Sequence, residues 1–239
     1  MEIVQFSTRE TNYAVLIRDA ATGHVALVDA PEAAPTVAAL DQRGWRLDTI
    51  LITHRHGDHI EGIPDLVAKY GAKVIAPALA EAAIPQADRF VKEGDRVEIG
   101  SLIADVWDIP GHCADHIGYH FARESTFFAG DTLFTMGCGR VLGSTMEALY
   151  ASLQRIAALP EETKVYCGHE YSLANARFCA AMAPDHPAIA ARLREIEARI
   201  AAGQPCVPTT IREEKETNLF LFAPDLARFT ALREAKNRF

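Results

Sequence analysis

At 239 residues, 49% hydrophobic and 23% charged, the chain can form one large domain, or a large domain with a small appendage, around a sizeable core. A formal net charge of −8 with no basic block argues against a nucleic-acid surface, and no apolar run is long enough to span a bilayer. The five cysteines are odd in number and contain no C-x-x-C pair, and Met1-Glu2-Ile3-Val4 lacks a signal-peptide layout, so a reducing cytoplasm is expected.

In chain order, Asn12 to Arg18 and His24 to Ala30 read as strands joined by a turn at Ala21-Thr22-Gly23. A helix over Glu32 to Gln42, with Pro35 tolerated in its first turn, leads to a strand at Thr49 to Ile52. Directly after that strand comes Thr53-His54-Arg55-His56-Gly57-Asp58-His59, followed by Ile60, Ile63, Leu66 and Val67 at helical spacing as far as Gly71. Residues two apart on an extended chain project to one side, so His54 and His56 can converge on one cation. Gly57 permits a turn, after which Asp58 and His59 point in another direction. Two adjacent metal positions are therefore expected. Imidazole with carboxylate suits zinc, iron or manganese better than calcium.

Lys73 to Ala76 is a short strand ended by Pro77, and strands follow at Val97 to Ile99, Leu102 to Trp107, Ile117 to Phe121 and Thr126 to Ala129. Strands that first alternate with helices and then run consecutively predict two sheets with helices outside them. Three more motifs sit at strand ends, where α/β sheets form their sites: Pro110-Gly111-His112-Cys113-Ala114-Asp115-His116, Phe127-Phe128-Ala129-Gly130-Asp131-Thr132 and Val165-Tyr166-Cys167-Gly168-His169-Glu170. Singly, His112 reads as a turn histidine, Asp131 as a cap and His169 as a buried histidine. Their shared placement points to ligands. His116 has the position of a residue that orients a ligand, whereas His24, His120 and His186 read as structural or exposed.

The T-H-x-H-x-D-H signature and the later histidine, aspartate and histidine motifs resemble the metallo-β-lactamase superfamily over about residues 10–170. Within it, Gly137-Cys138-Gly139-Arg140, Gly168-His169-Glu170-Tyr171, Asn175 and the C-terminal part are similar to the hydroxyacylglutathione hydrolase (glyoxalase II) family. That resemblance implies a four-layer αββα metallo-β-lactamase sandwich of the α/β class over residues 1–169, with a helical substrate-binding domain over 170–239. Leu193, Ile196 and Ile200 support a helix there by their spacing.

The resemblance further implies that His54, His56 and His112 hold one metal, that Asp58, His59 and His169 hold a second, and that Asp131 bridges them. It implies two divalent ions, zinc first with iron or manganese as alternatives, and names Asp58 and Asp131 as catalytic. Arg140, Tyr171, Arg233 and Lys236 match positions that grip glutathione, and Arg233 and Lys236 share a helix face. The implied activity is hydrolysis of an S-(2-hydroxyacyl)glutathione thioester to glutathione and a 2-hydroxy acid such as D-lactate, a step of methylglyoxal detoxification. The implied partner is this small molecule, acted on by a cytoplasmic monomer. The rival within the superfamily is a mononuclear iron persulfide dioxygenase, which does not need the basic C-terminal helix. The chain departs from the family at Leu142, where an aromatic is common, at Gly143-Ser144, where Glu-Gly is common, and at Cys113 and Asp115, which replace threonine and glycine.

Overall fold

Val25–Val28 and Thr49–Leu51 are apolar, partly β-branched and buried on both faces, the pattern of strands at the centre of a parallel sheet. A computed structural model describes all of residues 1–239. The chain divides into two compact units, one formed by Met1–Asp108 with Asp115–Glu124 and the other by Ile109–Ala114 with Ser125–Phe239.

In the first unit, β1 (Glu2–Thr8), β2 (Asn12–Arg18), β3 (Val25–Val28), β4 (Thr49–Leu51), β5 (Lys73–Pro77) and β6 (Arg89–Val91) form one six-stranded sheet in sequence order. β1, β2 and β3 are antiparallel, and β3, β4, β5 and β6 run parallel, with Ala26 opposite Thr49 and Thr49 opposite Lys73. Helices α1 (Ala33–Asp41), α2 (Gly57–Ile60) and α3 (Ile63–Tyr70) follow β3 and β4. Leu16, Leu27, Ile50, Leu66 and Val74 belong to its core. β7 (Arg96–Ile99), β8 (Leu102–Asp108) and β9 (Ile117–Phe121) form an antiparallel meander in the same unit.

In the second unit, β10 (Thr126–Gly130) pairs parallel with β13 (Lys164–Cys167), which pairs antiparallel with β14 (Thr209–Thr210). Between them lies a tight hairpin of β11 (Leu133–Phe134) and β12 (Gly137–Cys138). Six helices complete the unit: α4 (Met146–Ala157), α5 (Ser172–Met182), α6 (Pro187–Ala201), α7 (Ile211–Thr217), α8 (Leu219–Phe222) and α9 (Leu226–Arg238).

Most strands lie within a residue or two of their expected places. Three differences have identifiable causes. β1 has no clean alternation, because its residues are mostly half-buried at a sheet edge, and β6 is a three-residue edge strand without a hydrophobic signature. The helix expected to run unbroken from the histidine motif to Gly71 is instead split into α2 and α3 at Gly62. There the chain passes so close to the end of β3 that an added Cβ would lie 2.9 Å from the Ala30 carbonyl oxygen. In α6 the buried face is Ile189, Arg192 and Ile196, and Ile200 is exposed.

Candidate metal centre

In the first unit the ligand-type side chains stand where β4 hands over to α2. His54 is buried, and its Nε2 lies 3.0 Å from Nδ1 of His56. His54 and His59 rings are 4.1 Å apart, and Nε2 of His59 is 3.7 Å from Oδ2 of Asp58. The convergence of His54 and His56 matches the expectation from their spacing. The turn between the two pairs uses ordinary backbone angles, because Gly57 lies outside the left-handed region and opens α2.

These imidazoles are held in defined tautomers by a residue that the sequence reading missed. Asp29 follows β3 with φ of 55°, a conformation uncommon for a non-glycine residue. Its carboxylate accepts from the Thr53 backbone N–H at 2.8 Å, the Thr53 hydroxyl at 2.9 Å and His59 Nδ1 at 2.9 Å. The Thr53 hydroxyl donates to Asp29 and so accepts from His54 Nδ1, 3.0 Å away. Both His54 and His59 therefore turn Nε2, with its lone pair, toward the site. Donor atoms of Asp29, His54 and His59 also lie within 4.8 Å of one another. With three donors already on its oxygens, Asp29 is placed to orient ligands rather than to be one. The sequence signal was available: Val25-Ala26-Leu27-Val28-Asp29 is an apolar strand ending in an acid, the same pattern that singled out Asp131.

Three neighbours support this loop. Asn12 donates from Nδ2 to both the backbone oxygen and Oδ2 of Asp58, each at 3.0 Å. His116 stacks on His54, with ring centres 4.6 Å apart. Asp115, one of the departures from the family pattern, is buried and accepts the Arg55 backbone N–H at 2.9 Å. The remaining histidines are structural: His24 bonds the Thr49 hydroxyl, His120 lies edge-on to Trp107, and His186 caps α6.

In the second unit His112, Asp131 and His169 come from three separate places, after β8, β10 and β13, and all three are buried. Oδ2 of Asp131 lies 3.2 Å from His169 Nε2 and 3.7 Å from His112 Nε2. One carboxylate oxygen thus stands between two imidazole nitrogens. His112 donates from Nδ1 to the Arg140 carbonyl at 2.8 Å, which leaves Nε2 as the nitrogen that faces Asp131. His169 lies flat against Tyr171, with ring centres 4.7 Å apart and planes at 3°. Gly139 is required at its place, since a Cβ there would come within 2.1 Å of the Asp131 carbonyl oxygen and 3.1 Å of the His112 Cβ.

The donor set fits divalent metal. Imidazoles that turn a ring nitrogen to the site, with the buried Asp131 and the partly exposed Asp58 carboxylates, are the ligand types that zinc, iron and manganese share. The 3.0 Å spacing of the His54 and His56 nitrogens is near the roughly 3.3 Å edge of a tetrahedron of Zn–N bonds.

The four side chains expected to grip substrate differ in what they do. Arg140 is exposed, and Tyr171 is 38% exposed. Lys236 donates to the Ala174 carbonyl at 2.6 Å; its pKa is lowered by burial first and then by the Arg233 charge, with Arg140 adding to the effect. Arg233 is only 3% exposed. Its Nη1 donates to the Cys138 and Gly139 carbonyls at 2.7 and 3.4 Å, Nη2 donates to Asn237, and the guanidinium lies over Phe220.

Comparison with known proteins agrees with these features. Residues 8–169 match the model of the metallo-β-lactamase superfamily, and residues 170–239 match that of the hydroxyacylglutathione hydrolase C-terminus. Proteins named hydroxyacylglutathione hydrolase from Methylobacterium sp. (strain 4-46) and Methylobacterium nodulans are 52% and 51% identical; each match covers all of this chain and 99% of the relative. The chain belongs to the hydroxyacylglutathione hydrolase family of the metallo-β-lactamase superfamily. Among solved structures, ETHE1 from Myxococcus xanthus is 27% identical with a TM-score of 0.77, covering 99% of this chain and 92% of that one. TTHA1623 in a di-iron-bound form is 28% identical with a TM-score of 0.60, covering 71% of this chain and 92% of that one. As a hydroxyacylglutathione hydrolase family member, the chain has the metallo-β-lactamase α/β fold with a C-terminal helical region, and its histidine and aspartate set is compatible with a dinuclear metal site. No helix is long and apolar enough to cross a membrane.

Proposed function

We propose that this chain hydrolyses S-(2-hydroxyacyl)glutathione thioesters to glutathione and a 2-hydroxy acid such as D-lactate. The observation that carries the reading is the Asp131 carboxylate oxygen set between His112 and His169, in a chain half-identical to hydroxyacylglutathione hydrolases over its full length. Two divalent cations, zinc or alternatively iron or manganese, would be held by His54, His56 and His112 and by Asp58, His59 and His169, and Asp131, whose Oδ2 lies between His112 and His169, would serve both. When bound, such a pair supplies a hydroxide nucleophile near neutral pH and a Lewis acid for the thioester carbonyl.

The chain's own residues do the rest. Asp58, oriented by Asn12, and Asp131 hold the attacking water on its line toward the carbonyl carbon. The leaving group is a thiolate whose conjugate acid has a pKa of about 8.5, so it departs without a dedicated general acid. Arg140, Tyr171 and Lys236 meet the anionic glutathione portion, and Arg233 contributes by fixing the Cys138–Gly139 backbone next to Arg140. On this reading residues 1–169 form the catalytic domain and 170–239 the substrate-binding domain. The seven ligands come from one chain, which suits a monomer. Five free, buried cysteines suit a reducing cytoplasm.

The test is a thioester assay with S-D-lactoylglutathione on purified protein, with metal analysis of the same sample. Thioester loss with two metals per chain is expected. A protein that leaves the thioester intact, or that oxidises a glutathione persulfide with one iron per chain, refutes the reading.

A further inference from the structure

Glu214 is a fully buried carboxylate on α7, far in sequence from every ligand-type residue, and it has no part in the chemistry above. Three donors converge on it: the Thr209 hydroxyl at 2.7 Å, the Asn218 side-chain amide at 2.8 Å and the Met136 backbone N–H at 2.9 Å. Met136 is the turn residue of the β11–β12 hairpin and has a φ of 55°, left-handed backbone that a non-glycine side chain disfavours. The contact is therefore made at the residue of the hairpin that most needs an external hold.

Neighbouring C-terminal side chains take the hairpin's carbonyls. Asn218 Nδ2 donates to the Gly137 oxygen at 3.0 Å and the Phe134 oxygen at 3.4 Å. Asn175 Nδ2 donates to the Thr135 oxygen at 3.1 Å, and Arg233 holds Cys138 and Gly139. The two ends of the hairpin run straight into the ligand residues. Asp131 precedes β11 by two positions, the Gly139 N–H donates to the Thr132 carbonyl at 3.2 Å, and the Arg140 carbonyl fixes the His112 ring. A side chain that sets the hairpin turn thus sets the spacing of His112 and Asp131.

We propose that Glu214 is a positioning residue for the metal centre: by holding the strained Met136 turn it keeps the β11–β12 hairpin, and through it His112 and Asp131, in ligating register. Glutamine is a conservative substitute, because its oxygen can still accept from Met136 and Asn218 while its amide meets the Thr209 hydroxyl, which can donate to Glu213 3.2 Å away instead; alanine removes the acceptor altogether. The C-terminal helices then serve the metal as well as the substrate. This inference rests on the metal assignment given under Proposed function.

The test compares Glu214→Ala with Thr210→Ala, which removes the hydroxyl that accepts from the Glu213 N–H in the capping box of the same helix, without touching the hairpin. In E214A, amide hydrogen exchange over residues 136–140 and loss of metal to a chelator should each speed at least ~10-fold, the scale seen for residues that orient metal ligands. T210A should lower Tm without either change. The proposal is overturned if E214A exchanges and retains metal as the wild type does, or if T210A at equal loss of Tm reproduces both effects. Should E214A not be recovered folded, Asn218→Ala decides by the same two readouts. His112→Ala separates the two ideas: if it keeps both metals, the metal assignment fails; if it loses metal while E214A does not, only the role of Glu214 fails.

Discussion

The two units assemble their ligand-type residues by different means. In the first, His54, His56, Asp58 and His59 lie within one strand-to-helix turn, and Asp29 at the end of the adjacent strand holds Thr53 with two hydrogen bonds and His59 with a third. In the second, His112, Asp131 and His169 are 19 and 38 positions apart in sequence. They are brought together by a hairpin, a parallel strand pair and side chains from the C-terminal helices. The first arrangement is contiguous in sequence, with its spacing set by the strand-to-helix turn and its rings oriented by side chains from neighbouring strands. The second depends on long-range packing, and damage to distant helices reaches it.

Replacing the residue in which the second arrangement culminates should have the largest effect. Asp131→Ala removes the oxygen between two imidazoles, and activity should fall on the order of a thousandfold, about 4 kcal/mol of transition-state stabilisation. Metal content should drop to at most one ion per chain; an active variant with two ions denies the shared carboxylate. The matching probe of the local arrangement is Asp29→Ala, which frees the His59 ring and removes the acceptor of the Thr53 N–H. Loss of an orienting carboxylate costs ~10–100-fold in metal affinity, measurable by chelator competition, and unchanged affinity would show that the strand-to-helix turn needs no such support.

A smaller effect is expected from Lys236→Ala, which should raise KM for the thioester ~10-fold with kcat within about twofold, the sign of uniform substrate binding. A fall in kcat alone would place Lys236 with the hairpin supports rather than with substrate. Least of all should change at the cysteines. Burial pushes the Cys138 and Cys206 thiols up to about 11 and Cys179 to about 12. The reactive thiolate forms only as pH rises through the raised pKa, so raising pH from 7 to 9 should leave alkylation of the native protein slow and unfolding should release it. Rapid labelling of the folded chain at pH 8 would show that the C-terminal packing opens readily.

Legibility in the sequence follows the same division. The histidine motif, the strand before it and the helix after it were readable because spacing of 2 and of 3 to 4 residues carries their geometry directly. His112, Asp131 and His169 could be noticed only as polar residues at strand ends, and the resemblance to a known family supplied their grouping. Asp29 obeys the same strand-end rule as Asp131, but it lies outside the motifs that the family resemblance groups. Glu214 and the inward turn of Arg233 had no local signature at all: one reads as a charge in an Ile-Arg-Glu-Glu-Lys-Glu helix, the other as a basic residue near a helix end. Their burial comes from which distant carbonyls and amides need partners.

With the roles proposed above, the grip of Arg233, Asn218 and Glu214 on one short hairpin would tie recognition of the thiol to retention of the cations. Exchanging the last seventy residues for those of a relative with another thiol preference would therefore retune ion affinity in the same step, and acceptable exchanges would have to keep the hairpin's anchors while altering only the outward-facing side chains.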